Sequence, residues 1–365
     1  MPGPGAANVE ASGPALGESR PGPRQWEANV QRMARGVVGS AMVPLMAVAG
    51  ACLGVPLPAQ TGDDALAAAE STVVVRIAVA AAETLVVTTT GAGPPVVLLP
   101  GPLGGSFGYR LVVARLACAG RRVIVVAPLG FGWSPHPRRA DYSLDAQADR
   151  VAAVLDSLGV RGAVVGAHNM GASIALRLAY EHPDLVAAVV SLDGGPVERP
   201  VTPGLRTAMR LAPILSLFGA GRFVRGRVRG ALESHSASRG WITDQVVSAY
   251  AAPIARDVGG TLATLQAMER ATNRAPLLAN LSRIHVPVLL LVGGAKRDGG
   301  VGPDEVALLR DSIPHFSVDT VSDSGIYLQE EQPDTVADAL LRLLPAGAAA
   351  APPHEEPRAC AGSAL

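Results

Sequence analysis

Beyond Thr72 the chain alternates short runs of β-branched and apolar residues with longer stretches in which apolar positions recur at helical spacing. Residues 73–79 and 84–90 predict the two strands of an opening hairpin. Residues 96–100, 123–127, 163–167, 185–192, 286–292 and 316–321 predict further strands. Between them, residues 144–157, 171–181 and 335–344 predict helices. Strands that are apolar along their whole length and alternate with helices belong to a mainly parallel sheet covered on both faces. The pattern therefore predicts a doubly wound α/β fold of about eight strands.

The rhythm stops between residues 198 and 281, where helical, arginine-rich sequence takes over. An insertion of roughly 85 residues is too long for a loop and fits a helical cap. The core then comes in two parts, residues 60–197 and 282–346, followed by an Ala/Pro tail over 347–365 with no core pattern. At the other end, residues 1–24 are rich in Gly, Pro and Ala and predict disorder. Arg32, Met33 and Arg35 follow, then an apolar run over 36–57 and the small residue Ala59. That order reads as an export signal, making 1–59 a leader and the protein periplasmic or secreted, with Met33 an alternative start. The rival reading is a membrane anchor, because a run of about 22 residues can cross a bilayer, although Gly, Ala and Pro dilute this one.

Apolar residues make up 48% of the chain and charged residues 17%, so a large core can be buried and global disorder is excluded. Basic and acidic residues number 31 each, which gives no overall attraction for nucleic acid. A membrane enters only if the leader is uncleaved. The lone lysine, Lys296, reflects coding bias rather than chemistry. Cys52, Cys118 and Cys360 show neither metal spacing nor a disulfide framework. Cys118 falls in the apolar helical run 111–119 and reads as a small buried hydrophobe. No metal and no cofactor is called for.

Six segments then resemble, in order, the α/β-hydrolase family over residues 95–345. Pro95-Val-Val-Leu-Leu-Pro100-Gly101 is similar to its third strand and the His-Gly turn that follows. Ala127-Pro-Leu-Gly130-Phe-Gly132-Trp-Ser134 resembles its fourth-strand loop. Ala163-Val-Val-Gly166-Ala167-His168-Asn169-Met170-Gly171 resembles its nucleophile elbow, usually Gly-x-Ser-x-Gly at the junction of strand and helix. Ser191-Leu-Asp193-Gly-Gly follows the sixth strand, and Val288-Leu-Leu-Leu-Val292-Gly293-Gly294 resembles the seventh. Gly325-Ile326-Tyr327-Leu328-Gln329-Glu330-Glu331-Gln332-Pro333 resembles the Gly-His-x-x-x-x-Glu-x-Pro segment that carries the family's base. The resemblance implies the α/β-hydrolase fold with a helical cap.

Carried over residue by residue, the resemblance implies a degenerate site. The nucleophile position holds Asn169, whose amide nitrogen is delocalised and unfit for acyl transfer. Ser173, a helical turn further on, reads as a packing residue. The base position holds Ile326, which neither accepts nor delivers a proton. His136, His182, His235, His285, His315 and His354 do not match that position, and His168, beside the elbow, reads as a hydrogen-bonded core histidine. Of the two oxyanion donors, Met170 can supply a backbone N–H, whereas the other position maps to Pro102, which has none. Asp298 is the candidate acid, one place off the usual spacing, with Asp193 as the alternative. Both read by default as solvated loop carboxylates.

A sheet under a cap implies a pocket between them. Gly101, His168, Asn169 and Tyr327 are its candidate lining, with Asn169 and Tyr327 as polar groups able to orient a ligand. Met209, Leu211, Ile214, Leu215, Leu217, Phe218 and Phe223 either line that pocket or cement the cap to the core. Two function classes stay open. One is a non-hydrolytic protein that binds a small apolar or ester-like ligand or a protein partner. The other is an enzyme, esterase- or lipase-like or a lyase, running on a rebuilt constellation. A histidine near a Ser, Asp or Cys at the sheet's carboxyl edge, such as His235 from the cap, would discriminate them.

Overall fold

The computed structural model describes residues 72–80, 83–196, 220–295 and 300–345. Eight strands form one sheet: β1 (Val73–Ala80), β2 (Glu83–Thr90), β3 (Pro95–Leu99), β4 (Arg122–Ala127), β5 (Ala163–His168), β6 (Val186–Leu192), β7 (Val288–Gly293) and β8 (Phe316–Val321). Their spatial order is β1-β2-β4-β3-β5-β6-β7-β8. β1 and β2 pair antiparallel, and β2 runs antiparallel to β4. From β4 to β8 every pairing is parallel. β5 lies near the middle with all its residues buried, as its apolar run from Ala163 to Ala167 requires. The order reverses between β3 and β5, and such a switch point opens a crevice at the carboxyl ends of the strands.

Helices cover both faces. α1 (Arg110–Cys118) follows a 3-10 turn over Gly105–Tyr109, and α2 (Leu144–Ser157) and α3 (Met170–Glu181) complete the first half. α4 (Ala220–His235), α5 (Asp244–Arg256), α6 (Val258–Arg270) and the short α7 (Leu277–Asn280) lie between β6 and β7. α8 (Pro303–Ser312), α9 (Leu328–Glu331) and α10 (Pro333–Arg342) close the chain. α2 and α3 pack on one face of the sheet through Val151, Leu155, Ile174 and Leu178. α1 and α10 pack on the other through Val112, Leu116, Val336 and Leu340. A third cluster joins α4 and α5 to the sheet's edge, as described below.

The helix starts are written locally. Ser143 caps α2 by accepting from the Ala146 N–H at 3.2 Å. Thr243 does the same for α5 from Val246 at 3.3 Å, and Asp257 for α6 from Gly260 at 2.8 Å. Each cap of this kind contributes about 1 kcal/mol. A fully buried ion pair locks α2 to α3: Arg177 donates Nε to Asp145 Oδ1 at 2.7 Å. The other Asp145 oxygen accepts the backbone N–H groups of Arg274 and Ala275. The segment leaving α6 is thereby tied down to the core.

The reading of Cys118 needs correction. It is exposed at the end of α1 and its sulfur is engaged in a disulfide, so it is not a buried hydrophobe. An apolar run predicts a helix, but packing decides which of its positions are covered, here Val112, Val113, Ala114 and Leu116. The leader and the tail lie outside the described residues, among which no helix is long and apolar enough to cross a membrane.

Candidate functional site

β5 ends at His168 and α3 begins at Met170, so Asn169 alone makes the turn between them. Its backbone stands at φ 52°, ψ −120°, a conformation that costs a non-glycine residue about 1–3 kcal/mol. The surroundings impose it. The Asn169 N–H donates to the Leu192 carbonyl at 3.2 Å, and its own carbonyl accepts from Ala172 at 3.0 Å. Gly171 lets α3 start against β3, since a side chain there would come within 2.5 Å of the Leu99 oxygen. The result is a sharp strand-to-helix elbow at the sheet's carboxyl edge. The half-buried Asn169 side chain makes no capping bond to α3.

The candidate lining residues come together here. A Cβ on Gly101 would lie 3.3 Å from His168 Nδ1 and 3.4 Å from Asn169 Cβ. The His168 ring is 5.6 Å from that of Tyr327, which in turn lies 5.7 Å from Trp241. His168 is buried, and its Nε2 lies 2.9 Å from the Ile326 carbonyl oxygen. An oxygen acceptor requires the proton on Nε2. Burial holds the imidazole down at about 4, against a weaker opposing pull from that hydrogen bond. His168 is therefore a neutral brace between the elbow and the turn after β8.

Ile326 itself is only 7% exposed. It belongs with Tyr327 to the third apolar cluster, packed with Val224, Val228 and Leu232 of α4 and Val246 and Tyr250 of α5. Its N–H donates to the His235 carbonyl at 2.9 Å, which fixes the end of α4 against the turn. The cap therefore sits on the position that the family gives to its base. His235 comes close through its backbone, while its Nδ1 lies 2.8 Å from both Ala231 O and Ser234 Oγ.

Met170 opens α3 with its side chain buried. Pro102 lines a small cavity with Gly104, Gly130, His136, Tyr250 and Thr261. Its volume is about 10 Å3, room for a single water. Of the acid candidates, Asp298 lies outside the described residues, and Asp193 is not the solvated loop carboxylate expected. It is 1% exposed, at φ 46°, and its oxygens accept the N–H groups of Val301 at 2.9 Å and Gly293 at 3.3 Å. It pins the ends of β6 and β7 to the loop that follows. Ser173 is buried and donates to Gly195 O at 2.8 Å.

The expectation for the cap's apolar residues also needs correction at one position. Phe223 is 37% exposed and, among the described residues, belongs to none of the apolar clusters. It sits one residue from the buried Val224, so it turns away from the seam. Met209, Leu211, Ile214, Leu215, Leu217 and Phe218 lie outside the described residues.

Sequence reasoning passed over a second polar group. Glu330 is buried, with Oε1 accepting from Arg110 at 2.6 Å and from the Tyr250 hydroxyl at 2.7 Å. Burial lifts its carboxyl above the usual range, and the Arg110 guanidinium opposes that lift. Glu330 thus joins α9, α1 and the cap helix α5. The adjacent Glu331 accepts from the Gly325 N–H at 2.6 Å and shapes the turn that carries Ile326. Only the family position of Glu331 was visible in the sequence; the partners of Glu330 lie 80 and 220 residues away. Asp149, Glu181 and His182 also bring ligand-type atoms within 4.8 Å of one another. Arg274 already places its guanidinium there, 2.6 Å from Asp149 and 3.2 Å from Glu181.

Comparison with known proteins adds the family. The model of the alpha/beta hydrolase fold matches residues 94–333. A 2-hydroxymuconate semialdehyde hydrolase of Pseudomonas sp. (strain CF600) is 32% identical over 170 residues, 45% of this chain and 59% of that protein. A haloalkane dehalogenase of Mycobacterium marinum is 37% identical over 144 residues, 38% of this chain and 48% of that protein. The chain thus spans 48–59% of the length of these curated relatives. Among solved structures, Cfl2 from Burkholderia cenocepacia superposes with a TM-score of 0.61 at 23% identity, covering 75% of this chain and 96% of that one. That last likeness concerns the fold alone. Sheet order, strained elbow and family match agree, and this chain belongs to the α/β-hydrolase family.

Proposed function

We propose that this is a non-hydrolytic member of the family, which binds a small apolar or ester-like molecule, or a protein partner, at the elbow under the cap. The observation that carries the reading is Ile326, whose side chain joins the apolar cluster of α4 and α5 and carries no titratable group. Asn169 at the elbow offers an amide, able to orient a carbonyl or hydroxyl but not to attack one. The two curated relatives named above are a hydrolase and a dehalogenase by name, and this chain shares their family's fold. The order of charged, apolar and small residues over 32–59 supports export as part of this reading; N-terminal sequencing of exported material should then begin near Gln60, and mature protein retaining residues 36–57 would argue for an anchor.

A second reading, an enzyme on a rebuilt site, has one observation in its favour. Ser234 and His235 stand 2.8 Å apart at the end of α4, against the Ile326 turn. The same His235 nitrogen also reaches the Ala231 carbonyl, an arrangement that serves equally to finish the helix. Hydrolysis of p-nitrophenyl acetate and butyrate separates the two readings. No turnover above a heat-denatured control is expected. Turnover abolished by Asn169→Ala or His235→Ala would replace the first reading with the second.

A further inference from the structure

Helix α4 packs inward through Val224, Val228 and Leu232, which recur every four residues in the cap's apolar cluster. With that face fixed, helical geometry puts Arg222, Gly226 and Gly230 on the outermost ridge. Arg225 and Arg229 flank the ridge on one side, Phe223 and Arg227 on the other. Arg222, Phe223, Arg225 and Arg227 are all exposed. The helix's one acid, Glu233, is 3.6 Å from Arg229, which also holds Asp244 at 2.5 Å. Among the described residues, Arg222, Arg225 and Arg227 form no ion pair. By contrast, Arg110, Arg115, Arg150, Arg177 and Arg274 each hold a carboxylate. A chain of zero net charge therefore gathers unneutralised positive charge on one helix face.

Two features of that face work against stability. Gly226 and Gly230 are exposed and, among the described residues, have nothing within 4 Å of where a Cβ would stand, so no packing there calls for glycine, yet each weakens a helix relative to alanine. Phe223 leaves more than a third of its surface exposed among the arginines. Local rules broken with no gain in packing mark a surface kept for something else. A flat polyanionic layer with an apolar interior fits every feature. The bare ridge lets the helix axis approach closely, the arginines on either flank reach phosphates, and the ring enters the boundary between headgroups and acyl chains. We propose that the outer face of α4 docks this protein on a membrane surface rich in anionic phospholipid, whether or not its elbow site is catalytic.

The test is sedimentation of the full chain with vesicles of phosphatidylcholine, alone or mixed with phosphatidylglycerol. The apolar run over residues 36–57 would hold the protein to both compositions alike, so the quantity read is the difference between them. Binding should favour the anionic vesicles and weaken with salt. Arg222→Gln/Arg225→Gln/Arg227→Gln should lower anionic partitioning on the order of 100-fold. Phe223→Ser should weaken it at unchanged charge. Gly226→Glu/Gly230→Glu should abolish the preference while improving helix propensity, so its loss cannot be blamed on unfolding. Equal binding to both compositions, or a triple arginine variant that binds like wild type, would overturn the proposal. So would equally tight, Phe223-independent binding to duplex DNA, which would make the face a nucleic-acid surface instead.

Discussion

His168 donates Nε2–H to the carbonyl oxygen of Ile326 across 2.9 Å, so the elbow and the turn after β8 are joined by a histidine that is not at the family's base position. The bond depends on a neutral ring. Its folded-state pKa, about 4, lies below the ordinary 6.5, so between those values the unfolded chain binds the proton that the folded one refuses. Stability from this group is complete above pH 6.5, falls as pH drops through the window, and levels off below about 4. The full drop is about 3 kcal/mol. Urea unfolding at pH 7 and 4.5 should show it in wild type, and His168→Gln should remove that part of the difference. An unchanged difference in the variant would mean His168 is not the group responsible.

The position of Ile326 predicts how hard the family's chemistry is to restore. Ile326→His puts an imidazole into the apolar cluster formed with Val224, Val228 and Tyr250, and should lower stability by about 1–3 kcal/mol. Asn169→Ser and Ile326→His should each give no esterase activity alone, and together a strongly non-additive gain, because such residues act as a unit. Adding Pro102→Leu, which restores a backbone N–H, should lower the barrier by a further 2–4 kcal/mol at most, on the order of one oxyanion donor. A folded triple variant inactive on short-chain esters would show that the pocket geometry, and not merely its residues, has departed from the family's.

Asn169 bears a backbone conformation at φ 52° that glycine enters freely and a β-branched residue resists. Thermal melts should therefore rank Asn169→Gly at or above wild type and Asn169→Val below it by about 1–3 kcal/mol. A valine variant as stable as wild type would mean that the turn relaxes in solution.

Asp145 and Arg177 are both fully buried, and each satisfies the other. Asp145→Ala removes the carboxylate that the buried Arg177 guanidinium holds at 2.7 Å and should cost about 3–5 kcal/mol. Replacing both by a Leu–Met pair of similar volume should recover much of that loss. If the single variant costs less than 1 kcal/mol, water has reached the site.

The sequence alone was enough for the sheet, because unbroken apolar runs such as those of β5 and β7 can be satisfied only between two layers of helices. It also located the elbow at Asn169 and put an isoleucine in place of a histidine at position 326, since both lie in short segments whose order along the chain is diagnostic. Partners were beyond its reach. Asp193 looked like a loop acid, but two backbone N–H groups more than 90 residues away make it a buried strut. Glu330 was one of two adjacent glutamates until Arg110 and Tyr250 closed on it. Phe223 counted as one more apolar residue in a cap, and only the packing of Val224 on its neighbours turned it outward. Periodicity is a local property and is legible one turn at a time. Which acid is buried, which ring is exposed and what covers the base position depend on contacts between segments far apart in sequence, and only the folded chain brings those together.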